Sequence, residues 1–255
     1  MQQWSKFTGR EIMVRYGMVI DLDRCVGCAA CAVACKAENS VTSSTPEDYK
    51  KRRLMEWNRV VTVFKGKFPN VSASIMPLIC NHCEHPPCVK VCPVDATYKR
   101  EDGLVLQRYE RCIGCKYCMV ACPYQQRFFN FYDQKNKYME RLEKEAEDLK
   151  KENKDVPITY LEIPYHNPDV PSRISGIVEK CTFCHHRIDK AIAEGRKIGS
   201  PDGVEPACTQ ACPAKTRTFG DLDDPDSEVS KLLRSRRNYQ LRADLGTEPQ
   251  VYYLD

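Results

Sequence analysis

The chain has 255 residues, 29% of them charged, a formal net charge of +4 and sixteen cysteines. Its mean hydropathy of −0.54 and the lack of any apolar run of about eighteen residues exclude a membrane-spanning helix as an expectation, and its length allows one large domain or two small ones. The start, MQQWSKFTGREIMVRYG, has neither an apolar core nor a twin-arginine pair, so no signal peptide is expected there.

In chain order, YGMVIDL reads as a strand leading into motif one, CVGCAACAVAC, with Cys25, Cys28, Cys31 and Cys35 at C-x2-C-x2-C-x3-C spacing. Motif two, CNHCEHPPCVKVCP, carries Cys80, Cys83, Cys88 and Cys92. The link PVDATYKREDGLVLQRYER predicts a hairpin turning at Glu101-Asp102-Gly103. Motif three, CIGCKYCMVACP, repeats the first spacing with Cys112, Cys115, Cys118 and Cys122. Residues 131–172 then form an insertion. Within it, Tyr138, Leu142, Ala146 and Leu149 fall on one face of an expected helix, a stripe that packs on this protein or on a partner. IPYHNPDVP is a proline-rich connector. SGIVEKC reads as a strand into motif four, with Cys181 and Cys184 in CTFC and Cys208 and Cys212 in CTQACP. TRTFGDL and QVYYL are strand candidates, and PDSEVSKLLRSR a helix between them.

Four motifs of four cysteines form an internal repeat. A secreted disulfide framework spreads its cysteines to staple distant loops, and cysteines bunched at C-x2-C spacing are poor partners for that. Zinc needs only two pairs and not three cysteines at three-residue steps. A thioredoxin-like dithiol occurs once, not in fours. The spacing is that of bacterial ferredoxins, in which three thiolates wrap a [4Fe–4S] cubane and the fourth, followed by proline, ligates the neighbouring cluster. The proline ends the short helix that carries this cysteine, and Gly27 and Gly114 suit loops whose backbone runs close to sulfur.

Motifs two and three, joined by the hairpin, form one pair, which leaves one and four to pair across it. The fold class expected is α+β. Two ferredoxin-like dicluster modules are nested: residues 1–75 with 173–255, and an inserted module at 76–130, with 131–172 as helical insertion and connector. Crossing the fourth cysteines gives four [4Fe–4S] clusters: A on Cys25, Cys28, Cys31 and Cys212; B on Cys181, Cys184, Cys208 and Cys35; C on Cys80, Cys83, Cys88 and Cys122; D on Cys112, Cys115, Cys118 and Cys92.

Four oxidised clusters at 2− each would take the formal +4 to about −4. Arg24, Lys36, Lys90, Arg111, Lys116, Lys180 and Arg187 adjoin cysteines in sequence, and each is a solvated surface charge or an offset to that charge. His82, His85, His185 and His186 are read as hydrogen-bonding or surface residues, since every motif already has four cysteines. No nucleophile, acid–base pair or phosphate loop is in evidence, so no substrate chemistry is expected in this chain.

MVIDLDRCVGCAACAVACKAEN, CNHCEHPPCVKVCP, RCIGCKYCMVACPY, EKCTFCHHRID and GDLDDPDSEV together resemble the four-cluster iron–sulfur subunits of the molybdopterin oxidoreductase superfamily. These are the electron-transfer subunits of dimethyl sulfoxide, polysulfide, thiosulfate, tetrathionate and arsenate reductases, with relatives in the quinone reductase complex of sulfate reducers and in alternative complex III. The likeness runs from about residue 16 to the end, broken by the 131–172 insertion. It implies a non-catalytic subunit between a molybdopterin-type large subunit, nearest cluster A, and an integral-membrane subunit that handles quinone, nearest cluster D. The same resemblance implies the one-with-four and two-with-three pairing. It allows a multihaem cytochrome c as a further partner, gives no place to nucleic acid, and suggests a position on the periplasmic face of the inner membrane. The long gap from Cys184 to Cys208 departs from the pattern. The competing readings are a soluble polyferredoxin shuttle, which would more typically be strongly acidic and compact, and a redox sensor, for which four clusters are excessive.

Overall fold

A computed structural model describes residues 14–133 and 167–254, with Lys144, Glu147, Asp148 and Lys151 between them. The expected stripe at Tyr138, Leu142, Ala146 and Leu149 lies outside the described residues.

The first strand, β1 (Tyr16–Asp21), is buried along its whole length, as its apolar run requires. It lies inside a four-stranded sheet ordered β8 (Arg217–Asp221), β1, β10 (Val251–Leu254) and β9 (Asn238–Gln240). One neighbour is β8, antiparallel with Gly17 opposite Gly220; the other is β10, parallel with Met18 opposite Val251. TRTFGDL and QVYYL are thus strands, and the two ends of the chain share one sheet. The edge strand β9 pairs with β10. Side chains from this sheet, Met18, Ile20, Phe219 and Tyr253, bury against Met55 and Trp57. On the other face Val229 packs on Val19 and Leu254, and Leu232 and Leu233 pack around them. These come from a helix at Glu228–Ser235, whose N-cap Ser227 accepts the Ser230 N–H.

The expected hairpin forms from β4 (Thr97–Lys99) and β5 (Val105–Gln107), with Thr97 opposite Gln107 and Gly103 at φ +84° in the turn. SGIVEKC contributes a shorter strand than expected, β7 (Val178–Glu179), which pairs with β6 (Phe128–Phe129) and so ties the segment before motif four to the end of motif three. A ten-residue ribbon, β2 (Asn58–Lys67) with β3 (Asn70–Ile79), was not anticipated. Its base is buried and its outer half exposed on both faces, with Phe64 and Phe68 uncovered.

Short helices carry the cysteines. α1 (Ala30–Glu38) packs on the helix at Ala207–Gln210, and the helix at Pro87–Lys90 packs on that at Tyr117–Ala121. Motif one therefore meets motif four, and motif two meets motif three. The C-terminal segment clasps motif two: the carbonyls of Glu248 and Thr247 accept the N–H groups of Glu84 and His85. Among the described residues no helix is long and apolar enough to cross a membrane.

Candidate iron–sulfur sites

Each three-cysteine loop turns through left-handed residues, which lets the chain wrap a central object before entering a helix. Ala29 (φ 59°) and Lys116 (φ 63°) are equivalent N-caps in motifs one and three, and Cys184 (φ 53°) caps the helix at His185–Ala193 in motif four. Non-glycine residues in this region carry strain that the surrounding structure must hold.

The loops bring sixteen cysteines together in four sets. Cys25, Cys28, Cys31 and Cys212 line a cavity of about 320 Å³, open mouth included. Cys80, Cys83, Cys88 and Cys122 line a second of about 320 Å³. Cys92, Cys112, Cys115 and Cys118 line a third of about 270 Å³. Cys35, Cys181, Cys184 and Cys208 are all buried, and the last three are the main neighbours whose charge acts on Cys35. In every set one cysteine comes from the paired motif.

Soft thiolates fit a polynuclear cluster, and the sulfurs ring cavities instead of converging on a point. Among the described residues no three His, Cys, Asp or Glu side chains come close enough to hold a single ion. All sixteen cysteines are free of disulfides. Backbone N–H groups already serve the sulfurs as they would serve thiolates. Ala96 and Thr97 donate to Cys92 Sγ at 3.2 and 3.5 Å, and Thr216 to Cys212 Sγ at 3.4 Å. Burial pushes both thiols up, but hydrogen bonds outweigh it, from the backbone at Cys92 and from the Thr216 hydroxyl and then the backbone at Cys212, and bring both below the usual range. In the wholly buried set the balance reverses: burial, then the charge of Cys208, pushes Cys184 up to about 12. Such sulfurs ionise only with a shared positive centre, which the irons of a cluster supply.

Three family models match the chain: a 4Fe-4S binding domain at residues 16–37 and two 4Fe-4S dicluster domains at 71–147 and 111–216. The chain is 43% identical, over 96% of its length and 90% of the relative's, to the menaquinone reductase iron–sulfur cluster-binding subunit of Nitratidesulfovibrio vulgaris. It is 40% identical to the Hdr-like menaquinol oxidoreductase iron–sulfur subunit 1 of Archaeoglobus fulgidus, over 94% of this chain and 82% of that one. It is 38% identical to the arsenate respiratory reductase iron–sulfur subunit of a Shewanella species, over 94% and 96%. The chain belongs to this family of iron–sulfur, electron-transfer subunits. The domain matches and the sixteen cysteines fit four [4Fe–4S] clusters.

In this iron–sulfur subunit the cations that reach sulfur are not all those adjoining cysteines in sequence. Lys180 is buried and donates to the Cys181 carbonyl at 2.6 Å. Lys36 donates to Met55 O at 3.0 Å, Lys116 lies over the Phe129 ring, and Arg187 pairs with Glu38. The side-chain contacts to sulfur include those of Arg127, Arg217 and Asn39, which adjacency did not single out. Asn39 Nδ2 lies 3.5 Å from Cys184 Sγ. The imidazole of His82 is buried, stacked on Phe183, and satisfied as a neutral ring: Nδ1 accepts the Val105 N–H at 3.0 Å and Nε2 faces the Cys181 carbonyl at 3.1 Å. Burial holds it well below its usual pKa. His185 and His186 face Asp189 and Glu38, and the more exposed His85 faces Glu248.

Proposed function

We propose that the four cysteine sets hold clusters A, B, C and D as assigned above, in two nested dicluster modules. They form one electron wire between a molybdopterin-type subunit at A and a quinone-handling membrane subunit at D. A [4Fe–4S] cluster supplies a one-electron couple. The chain's own part is to order the couples, cover the inner ones and leave the outer ones reachable.

The observation that carries this reading is the gradient of exposure along the sets. Across sets, the charge of Cys31 acts on Cys208, that of Cys80 on Cys181 and that of Cys88 on Cys118, which supports an order of A, B, C, D. The B cysteines are all buried, whereas Cys28 of A and Cys115 of D are exposed. Both ends wear an uncovered apolar collar at equivalent motif positions: Val26 and Val33 around A, Ile113, Tyr117 and Val120 around D. Exposed apolar groups gathered at a functional end favour partner docking, and a shuttle between many enzymes has less use for two such ends. Menaquinone appears in the name of one relative and menaquinol in that of another, which favours quinone at one end. A peripheral place on the inner membrane, on its periplasmic face, follows from the resemblance. Protease treatment of spheroplasts should cleave the subunit there and spare it if it faces the cytoplasm.

The whole reading is tested by solubilising native membranes gently and identifying what stays bound. A pterin subunit with molybdenum or tungsten plus a multi-span membrane subunit is the expected result. A metal-free pterin-type subunit with a multihaem cytochrome c would make the complex a cytochrome-fed quinone reductase. A lone soluble chain with about sixteen irons would overturn the wire between partners and leave a polyferredoxin.

The loop glycines make a sharper local prediction. A Cβ on Gly114 (φ +66°) would sit 2.0 Å from the Gly176 carbonyl oxygen, a backbone atom that cannot yield. One on Gly27 (φ +71°) would meet only the Ile75 side chain at 3.1 Å. Both substitutions incur a left-handed penalty of roughly 1–2 kcal/mol. Gly114→Ala is therefore expected to lose cluster D, seen as about four fewer irons per chain, while Gly27→Ala keeps cluster A.

A further inference from the structure

Arg127 and Arg217 occupy the same place in their motifs. Each is the fifth residue after the last cysteine of a Cys-Pro step, Cys122-Pro123 in one case and Cys212-Pro213 in the other. Both are almost wholly buried, 4% and 3% exposed. Arg127 Nη2 donates to Cys88 Sγ at 3.0 Å, and its charge also meets Cys118 and Cys80. These cysteines belong to sets C and D. Arg217 Nη2 donates to Cys31 Sγ at 3.4 Å, and its charge meets Cys208 and Cys181, of sets A and B.

Among the described residues neither guanidinium pairs with a carboxylate. Arg127 is otherwise held by Thr97 Oγ1 at 3.1 Å and Gln107 Oε1 at 3.2 Å, and Arg217 by Asn58 Oδ1 at 3.0 Å. A buried cation without an anion is expensive, and the anions within reach are the cysteine sets themselves. We infer that Arg127 and Arg217 are shared counter-charges, one lodged between the two clusters of each pair, which set the potentials of both. The inference rests on the assignment of the four sets to clusters. Reduction adds a negative charge to a cluster, and a fixed cation beside it favours the reduced form. Placed between two clusters, the cation also weakens the repulsion an electron on one exerts on the other, so the step within each pair stays near level.

The test is a redox titration of the purified complex followed by electron paramagnetic resonance. Arg127→Gln should lower the reduction equilibrium constants of clusters C and D at least tenfold, about 59 mV for one electron, and leave A and B in place. Arg217→Gln should do the reverse. Arg127→Lys, which keeps the charge, should stay close to the native potentials. Gln107→Glu provides a variant that leaves the arginine in the core: an isosteric carboxylate against the guanidinium should lower the same C and D pair. Potentials unmoved in Gln107→Glu and in an intact Arg127→Gln, or all four clusters shifting together, would overturn the inference. Fewer than four cluster signals in the unaltered complex would instead break the assignment beneath it.

Discussion

Replacing Cys115 by alanine is expected to stop electron exchange with quinone while clusters A, B and C remain reducible from the other end. Cys115 is the exposed member of its set, at the rim of the cavity it shares with Cys92, Cys112 and Cys118. Without its thiolate the cubane lacks a corner ligand, and with cluster D lost iron should fall from about sixteen to about twelve per chain. The loss is local because the neighbouring set draws on different residues: Cys122, from the same motif, serves the cavity of Cys80, Cys83 and Cys88. An electron arriving at C then faces the whole remaining distance to the membrane partner in one step, and tunnelling falls steeply with distance. Activity with an artificial dye that accepts electrons directly at the catalytic end should persist. Cys28→Ala is the mirror experiment, which should block entry at the A end and spare exchange between D and quinone. Quinone activity unchanged in a Cys115→Ala complex that has lost cluster D would show that the order of the wire is wrong.

What could be read from the sequence was whatever depends on local spacing. Cysteine steps of three residues fix which sulfurs share a loop, and the polar turn at Glu101-Asp102-Gly103 between two short strand-forming stretches fixes the β4–β5 hairpin. The β2–β3 ribbon escaped because strand alternation is a signature of one buried face, and beyond Thr62 this ribbon buries neither. Its length also carries β3 across residue 75, where the expected module edge falls. The charges were harder still. Lys36, which directly follows Cys35 in α1, points to a carbonyl, because consecutive residues in a helix face different ways, and Arg187 is held by the Glu38 carboxylate. Arg127 and Arg217 reach sulfurs contributed by distant parts of the chain. The signal that could have found them was present all along: the same offset of five residues after Cys-Pro in motifs three and four, and in neither of the other two.

A second large effect is expected at residues other than the cysteines. Arg173 and Glu179 form an ion pair at 2.9 Å with both side chains fully buried. The arginine closes off the C-terminus of α1 by donating to the carbonyls of Asn39 and Ser40 at 2.7 and 2.9 Å, and its guanidinium lies 4.9 Å from the centre of the Trp57 ring. It therefore fastens the helix that carries Cys31 and Cys35 to the start of the ribbon and to the strand before motif four. Burial pushes the Glu179 carboxyl above its usual range, and Arg173 is the main force opposing that. Arg173→Met removes the main opposition and leaves a buried carboxylate without its counter-charge, which costs about 3–5 kcal/mol. Glu179 can relieve part of this by taking a proton, but the two carbonyls at the helix end lose their donor as well. Cofactor-bearing proteins do not unfold in two states, so the readout is the rate of cluster loss in mild denaturant with an iron chelator present. Arg173→Met should bleach much faster than the unaltered subunit. The double variant Arg173→Met with Glu179→Gln should recover part of the difference, since replacing both partners of a buried pair is far milder than orphaning one. If the single variant bleached at the native rate, the pair would be dispensable and the fastening of α1 would have to come from its packing on the helix at Ala207–Gln210 alone.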